Sequence, residues 1–313
     1  MKNFDELLAE VEPHPLRTVA VAVAEDPTLI EAAVEAEKRN IAEVILVGDA
    51  GRIREAAESA GASLEDVRIV DRSDPLQAVA AAVHLVTSGE AHILMKGYVH
   101  TDDFLRGVLD KEDGLRTGSI MSHVYIAEIR EKDKLLFVTD SAMNIAPDLD
   151  RKADILLNAV YLANLFGVTD PKVAALAAVE LVNPAMPATV DASVLAKMAD
   201  RRQYVPACTV DGPFALDNAV SPRAARHKRL DGPVAGEADI LLVPTIECGN
   251  MLAKALVYFG GHRIIGLLVG AAAPVVLTSR ADLAETKLLS MAGAVLMVDR
   301  KRELRLKIGK VHY

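Results

Sequence analysis

The chain has 313 residues, with 35 Lys and Arg against 44 Asp and Glu, a formal charge of −9 with histidine neutral. Apolar residues make up 51% and charged residues 25%, so the chain can bury a substantial core and is far in composition from a disordered polymer. At roughly 100–200 residues per domain this length accommodates about two domains. The acidic balance excludes general attraction to nucleic acid and leaves room only for a local anion site.

The mean hydropathy of +0.22 comes from Ala, Val, Leu and Ile spread along the chain. The longest apolar stretch, 264–277, is interrupted by Gly266, Gly270 and Pro274 and is too short to span a bilayer. The opening MKNFDELLAEVEPHP is acidic and amphipathic, without the basic and continuously apolar regions of a secretory signal, so the expected location is cytoplasmic. Cys208 and Cys248 are too few and too far apart for a disulfide framework or a zinc knuckle and read as small buried hydrophobes.

From Thr18 onward, short β-branched runs alternate with Ala/Glu/Lys-rich stretches of helical period, the pattern of an α/β protein with a parallel sheet covered by helices. Strands are expected at 18–24, 43–47, 67–70 and 93–96, with helices near 27–39, 52–60 and 74–87. Asp26 followed by Pro27 marks a capped start, since proline has no N–H to leave unsatisfied in a first turn. After Gly97 the rhythm changes. Runs at 119–130 and 134–139, joined by the charged turn EKDK, predict an antiparallel pair at a domain edge.

A second α/β series follows, with helices at 150–166, 188–202 and 250–259 and strands at 172–179, 207–210 and 240–243. The tail from Pro274 carries a strand and a helix at 283–294 and is expected to return to the first domain. The resulting division is 1–140 with 268–313, and 141–267 as an inserted domain, with the substrate cleft expected between them.

Three segments carry candidate chemistry. In KGYVHTDDFLR (96–106) a strand ends at a glycine and a helix opens at Thr101, so free N–H groups and a helix dipole meet near Lys96 and Arg106. This is either an anion site or a helix start with solvated cations. In GLRTGSIMSH (114–123) a glycine-flanked Arg116 and several hydroxyls, Ser122 among them, lead into a strand and suit phosphate oxygens. His123 is either a general base or a core residue of that strand. In TSRADLAETK (278–287) a strand meets a helix, placing Ser279 and Arg280 at a strand's carboxyl end, where open α/β sheets bind ligands. Asp282 then reads as an N-cap, with Glu285 three residues on. GxGxxG after the first strand, GxxxxGK[ST], GxSxG and HExxH are all missing, which argues against a nucleotide hydrolase or a serine esterase. The neighbouring carboxylates Asp102/Asp103 and Asp148/Asp150 read as helix starts rather than Mg²⁺ ligands.

Six ordered segments, LMKGYVHTDDFLRGVL (94–109), GLRTGSIMSHV (114–124), FVTDSAMNIAPD (137–148), VDGPFALDNAVSP (210–222), ADILLVPTIECGNMLAKAL (238–256) and VVLTSRADLAETK (275–287), together resemble the phosphate acetyltransferase and phosphate butyryltransferase family over nearly the whole chain. TSRADxxETK and LMKG look more like the butyryl branch. The resemblance implies a two-domain doubly wound fold of the isocitrate/isopropylmalate dehydrogenase type, usually dimeric. It also implies reversible conversion of acyl-CoA and orthophosphate into acyl phosphate and CoA, with no bound cofactor, no metal, and neither nucleic acid nor membrane as partner.

Under that resemblance Arg280 is the phosphate clamp, Arg106 and Arg116 are further anion contacts, and Ser279 donates to the developing oxyanion. Lys96, Thr101, Ser122, Asn144 and Asn250 are further substrate contacts. The acetyl-branch pattern has an Asp seven residues after the Ser of the SR pair, where this chain has Thr286. Glu285, Asp282 and His123 are the substitutes as base. The competing readings are a non-catalytic CoA or acyl-phosphate binding protein and an NAD-dependent dehydrogenase of the same fold.

Overall fold

The computed structural model describes residues 1–304 and 310–312. The chain divides into two compact units. The first comprises Phe4–Ser119 and Ile265–Leu304; the second comprises Ile120–Ile264, joined by residues 1–3 and the C-terminal strand.

The first unit opens with helix α1 (Phe4–Val11), strand β1 (Arg17–Ala22), α2 (Pro27–Lys38), β2 (Ala42–Gly48), α3 (Ala50–Ala60), β3 (Arg68–Asp71), α4 (Pro75–Thr87), β4 (Ile93–Lys96) and α5 (Thr101–Val108). Three of these helices start on an aspartate whose carboxylate takes orphan backbone N–H groups. Asp26 accepts from Leu29 N at 2.9 Å, Asp49 from Gly51 N and Arg52 N, and Asp74 from Gln77 N at 2.8 Å. Proline follows Asp26 and Asp74 in the first turn, as the sequence predicts. β1 is parallel to β2 on one side, with Ala20 opposite Ile45, and to β4 on the other, with Ala22 opposite Lys96. The chain winds outward to β2 and β3 and then crosses back to β4, so the reversal of winding lies between β1 and β4.

The second unit contains β5 (Ser122–Ile129), β6 (Lys134–Thr139), α6 (Leu149–Leu165), β7 (Lys172–Leu176), α7 (Pro187–Asp200), β8 (Tyr204–Val205), β9 (Thr209–Phe214), α8 (Leu216–Val220), α9 (Pro222–His227), β10 (Ile240–Leu242) and α10 (Ile246–Tyr258). β5 and β6 form the expected antiparallel pair, from Val124 opposite Thr139 to Ile129 opposite Lys134. β10 lies between β6 and β7, parallel to both. α6 is buried on most of its circumference, which makes it the central helix of this unit.

The chain then returns to the first unit through β11 (Ile264–Val269), β12 (Val275–Val276) and α11 (Ala284–Leu304). β12 runs parallel to β4 and antiparallel to β11, and α11 packs against α1 and α2. The short β13 (Lys310–Val311) pairs antiparallel with β8 in the second unit. Among the described residues no helix is long and apolar enough to cross a membrane.

The α/β class and the mostly parallel strands agree with the sequence reading. The domain boundary does not. It falls between Ser119 and Ile120, not after residue 140, because β6 is bonded to β10 and carries its hairpin partner β5 into the second unit. The second boundary lies at 264/265 rather than 267/268, and residues 310–312 belong to the second unit through β13. The part of the tail assignment that falls on 305–309 and 313 lies outside the described residues.

Candidate active site

The predicted residues gather in two groups, one in each unit. In the first unit, parallel β4 and β12, with Met95 opposite Val276, carry Lys96 and the 277–280 segment to their common carboxyl end, beside the reversal of winding at β1. Gly97 makes the approach to β1 possible. Its N–H donates to Ala22 O at 2.8 Å, and Tyr98 N donates to Val23 O at 2.7 Å. A Cβ at Gly97 would stand 2.3 Å from Val23 O and 2.6 Å from Ala22 O, so no larger residue fits.

Lys96 is only 3% exposed, and its Nζ donates to Gly97 O at 3.3 Å. Burial, with repulsion from Arg280 and Lys287 working against attraction to Asp282, lowers its pKa to about 8. Asp282 folds back on the segment before it. Its Oδ2 accepts from Ser279 N at 2.7 Å, and its N–H donates to Ser279 O at 3.2 Å. Asp282 is therefore not the expected N-cap, because α11 begins two residues later, at Ala284. The turn leaves the Ser279 side chain half-buried and turns Arg280 outward, its guanidinium 5.6 Å from the centre of the Tyr98 ring.

Lys287, in the first turn of α11, fixes this turn from beneath. It donates to Asp282 O at 2.6 Å and to Thr28 Oγ1, and lies 3.4 Å from Asp26 Oδ1. Thr28 Oγ1 in turn donates to Asp26 Oδ1 at 2.6 Å, so the capped start of α2 and the Ser279–Asp282 turn share one network.

The remaining first-unit candidates are more open. Thr101 is the first residue of α5, and the N-cap position belongs to His100, which makes no side-chain capping bond. Arg106 is exposed and paired with Asp103 at 3.0 Å one turn earlier. Arg116 is exposed on a segment pinned to the β11–β12 turn by Ala272 N donating to Leu115 O (2.9 Å) and Thr117 Oγ1 to Gly270 O (2.7 Å). Glu285 is exposed in the first turn of α11, and Thr286 is half-buried.

In the second unit the end of β6 forms a rigid polar turn around Asp140. One carboxylate oxygen accepts from Ala142 N and Met143 N at 3.0 and 3.1 Å, and the other from Asn144 N and Nδ2 at 3.1 and 2.5 Å. Asn144 Nδ2 also donates to Met121 O at 2.9 Å, so both its amide protons are committed and Oδ1 is what it can offer a ligand. Asn250, at the start of the second turn of α10, donates to Ser141 O at 3.4 Å. Its neighbour Gly249 lets that helix abut the loop, since a Cβ there would lie 2.5 Å from Asp140 O and 2.8 Å from Ser141 Oγ. Ser122 and His123 are fully buried. Ser122 Oγ accepts from Asn158 Nδ2 at 2.9 Å, and the His123 ring packs edge-on against Tyr125 at 4.4 Å.

Lys287, Tyr98 and Asp140 escaped the sequence reading although all three lie within quoted segments. A buried lysine in a Glu/Lys-rich helix start carries no local signal, whereas the Asp140 carboxylate accepting from the N–H two residues on, at Ala142, is a legible Asx-type turn.

The description of the matching family model is phosphate acetyl/butaryl transferase, over residues 4–78 and 72–295. The chain is 52% identical over 301 residues to the phosphate butyryltransferase of Clostridium beijerinckii, covering 96% of this chain and 99% of that one. It is 42% identical over 289 residues to the phosphate acetyltransferase of Thermotoga maritima, covering 92% and 98%. Among solved structures, a branched-chain phosphotransacylase from Enterococcus faecalis superimposes with a TM-score of 0.80 at 36% identity, covering 90% of this chain and 99% of that one. On these matches the chain belongs to the phosphate acetyl/butyryl transferase family of acyltransferases.

Proposed function

We propose that the protein catalyses the reversible reaction of a short-chain acyl-CoA with orthophosphate to give acyl phosphate and CoA, with butyryl-CoA preferred over acetyl-CoA. The observation that carries this reading is the gathering of Arg280, Lys287 and the titratable amine of Lys96 about Asp282, with Asp26 beside Lys287, at the carboxyl ends of β4 and β12. The exposed Arg280 guanidinium suits a phosphate dianion. The higher identity to the butyryltransferase than to the acetyltransferase supports the acyl preference.

A phosphate oxygen attacks the thioester carbonyl carbon, the C–S bond breaks, and the electron pair leaves on sulfur. Phosphate is already an anionic nucleophile at neutral pH, so the protein's task is to position it and neutralise part of its charge. Arg280 is the principal clamp, its planar fork matched to two phosphate oxygens. Ser279 donates its hydroxyl to the oxyanion that develops on the carbonyl. Thr101, Arg106 and Arg116 meet the remaining anionic groups of phosphate and CoA, and Asn144 and Asn250 orient CoA. Direct attack requires no acyl-enzyme and hence no activated serine or cysteine. Asp282 and Glu285 support the site; the Asp282 carboxylate is committed to the Ser279 turn.

The protein acts as a cytoplasmic homodimer. Its free thiols fit a reducing compartment, and the exposed apolar residues Met251, Tyr258 and Phe259 on and after α10, the last 93% exposed, suit self-association. The test is thiol release from acetyl-, propionyl-, butyryl- and longer acyl-CoA with and without phosphate. Phosphate-dependent release that peaks at butyryl is expected. Release without phosphate would indicate a thioesterase instead, and CoA binding without release a non-catalytic binding protein.

A further inference from the structure

The acyl transfer needs a proton carrier. Hydrogen phosphate must lose its proton as the new P–O–C link forms, and the departing thiolate must gain one. In the first unit the carboxylates at hand are poorly placed for this: Asp282 holds the Ser279 backbone, and Glu285 is an exposed residue of α11.

Lys96 has the opposite character. It is buried at the carboxyl end of β4, and among the described residues no carboxylate lies within ion-pair distance of its Nζ. Its Nζ donates one long hydrogen bond, 3.3 Å, to the adjacent Gly97 carbonyl. The charged groups that act on it all come from the 280–287 segment: Arg280 and Lys287 repel its proton and Asp282 attracts it. On the β1–α2 side, Asp26 is engaged with Lys287, Thr28 and Leu29 N. Were a fixed charge all that the site required, an arginine would serve better than a buried amine that gives up its proton readily.

We propose that Lys96 Nζ is the proton carrier of this acyl transfer. The inference rests on the phosphate acyltransferase reading of the same site. The neutral amine takes the proton from hydrogen phosphate as that oxygen bonds to the acyl carbon. The C–S bond breaks, and the resulting ammonium passes the same proton to the CoA sulfur. The balance is acyl-CoA plus HPO₄²⁻ giving acyl phosphate dianion plus CoA thiol, with Lys96 returned to its starting state. In the reverse direction the amine deprotonates the CoA thiol. A pKa held to about 8 by burial and by its cationic neighbours lies close to the roughly 8.5 of an ordinary thiol, so the proton can move either way without a large penalty.

The test follows phosphate-dependent thiol release against pH for the full-length wild type, Lys96→Arg and Lys96→Ala. Wild-type kcat should rise with pH to a plateau with a midpoint near 8, because the carrier must start neutral. Lys96→Arg keeps the charge but cannot give up a proton, so kcat should fall about 10²-fold or more while the phosphate KM changes only a few-fold. Lys96→Ala should fall similarly and recover in part with added ethylamine, in proportion to its free-base concentration.

A Lys96→Arg enzyme within threefold of wild type, or a Lys96→Ala enzyme whose loss is confined to the phosphate KM and indifferent to amine, would overturn the assignment while leaving the acyltransferase reading intact. Wild-type protein with no phosphate-dependent release would overturn both. If the variants do not fold, the wild-type profile decides alone, and a kcat flat between pH 6.5 and 9 overturns the proposal.

Discussion

Lys287 donates to the carbonyl oxygen of Asp282, five residues earlier in the chain, at 2.6 Å and from a fully enclosed position. That bond ties the first turn of α11 to the residue that holds Ser279, and the same ammonium reaches Thr28 and Asp26 at the start of α2. Lys287→Met leaves the Asp26 carboxylate without its cation and the Asp282 carbonyl without its donor. The expected cost is about 2–4 kcal/mol in urea-unfolding free energy, together with a fall in kcat as the Ser279–Arg280 turn loosens. A variant as stable and as active as wild type would show that the turn holds itself.

Arg280→Ala should raise the phosphate KM and lower kcat by roughly 10²-fold or more, since a charged contact to developing charge is worth about 3 kcal/mol. Tyr98→Ala removes the ring beneath the guanidinium and should cost about two- to fivefold, from ~0.5–1 kcal/mol of cation–π attraction at an exposed site. Steady-state kinetics at varied phosphate measures both. An unchanged kcat/KM in Arg280→Ala would remove this residue from the site.

Gly249→Ala should uncouple α10 from the Asp140–Ser141 loop, because the added carbon would meet Asp140 O at 2.5 Å, a backbone atom that cannot swing aside. The expected result is weaker CoA binding by calorimetry, with the displaced Asn250 as the proximate cause. Unaltered affinity would dissociate Asn250 from CoA.

Glu128, buried on β5, accepts from Arg263 Nη2 at 2.6 Å and from Arg130 Nε at 2.9 Å. Glu128→Ala takes away the carboxylate to which the largely buried Arg263 donates and should cost about 3 kcal/mol. Arg130→Ala removes an exposed partner and should cost less than about 1 kcal/mol. Denaturant midpoints of the two variants should differ in that order.

Burial, helped by Asp170, pushes the Cys208 thiol up to about 12, and burial takes the Tyr161 hydroxyl to about 12. Both groups hold their protons more tightly folded than unfolded. Their contribution to stability is therefore complete below pH ~9 and is lost as pH rises from there toward 12, at up to about 1.4 kcal/mol per pH unit for each proton. Cys208→Ala should flatten the alkaline decline. In native protein at pH 8 a thiol reagent should react quickly with the exposed Cys248 and slowly with Cys208.

What could be read from the sequence was local. Asp26–Pro27 and Asp74–Pro75 announce their helices within four residues, and the β5–β6 pair is legible from its turn. The unit that owns this pair is not, because ownership is decided by β10, a hundred residues downstream. Short α8 and α9 lack enough turns to show a period. At the site, Arg280 and Ser279 are visible through their position at a strand end. The burial of Lys96 and Lys287 is a tertiary property with no trace in their neighbours.

The first unit is written in two pieces, 4–119 and 265–304, on either side of residues 120–264. β12 and α11, which complete its sheet and cover α1 and α2, are translated only after residues 120–264 of the second unit. On the ribosome the continuous segment 120–264 can therefore close its own core first, while residues 4–119 wait with one face of their helices uncovered. A nascent chain arrested near residue 264 should expose that face to chaperones, and release of residues 265–304 should bury it.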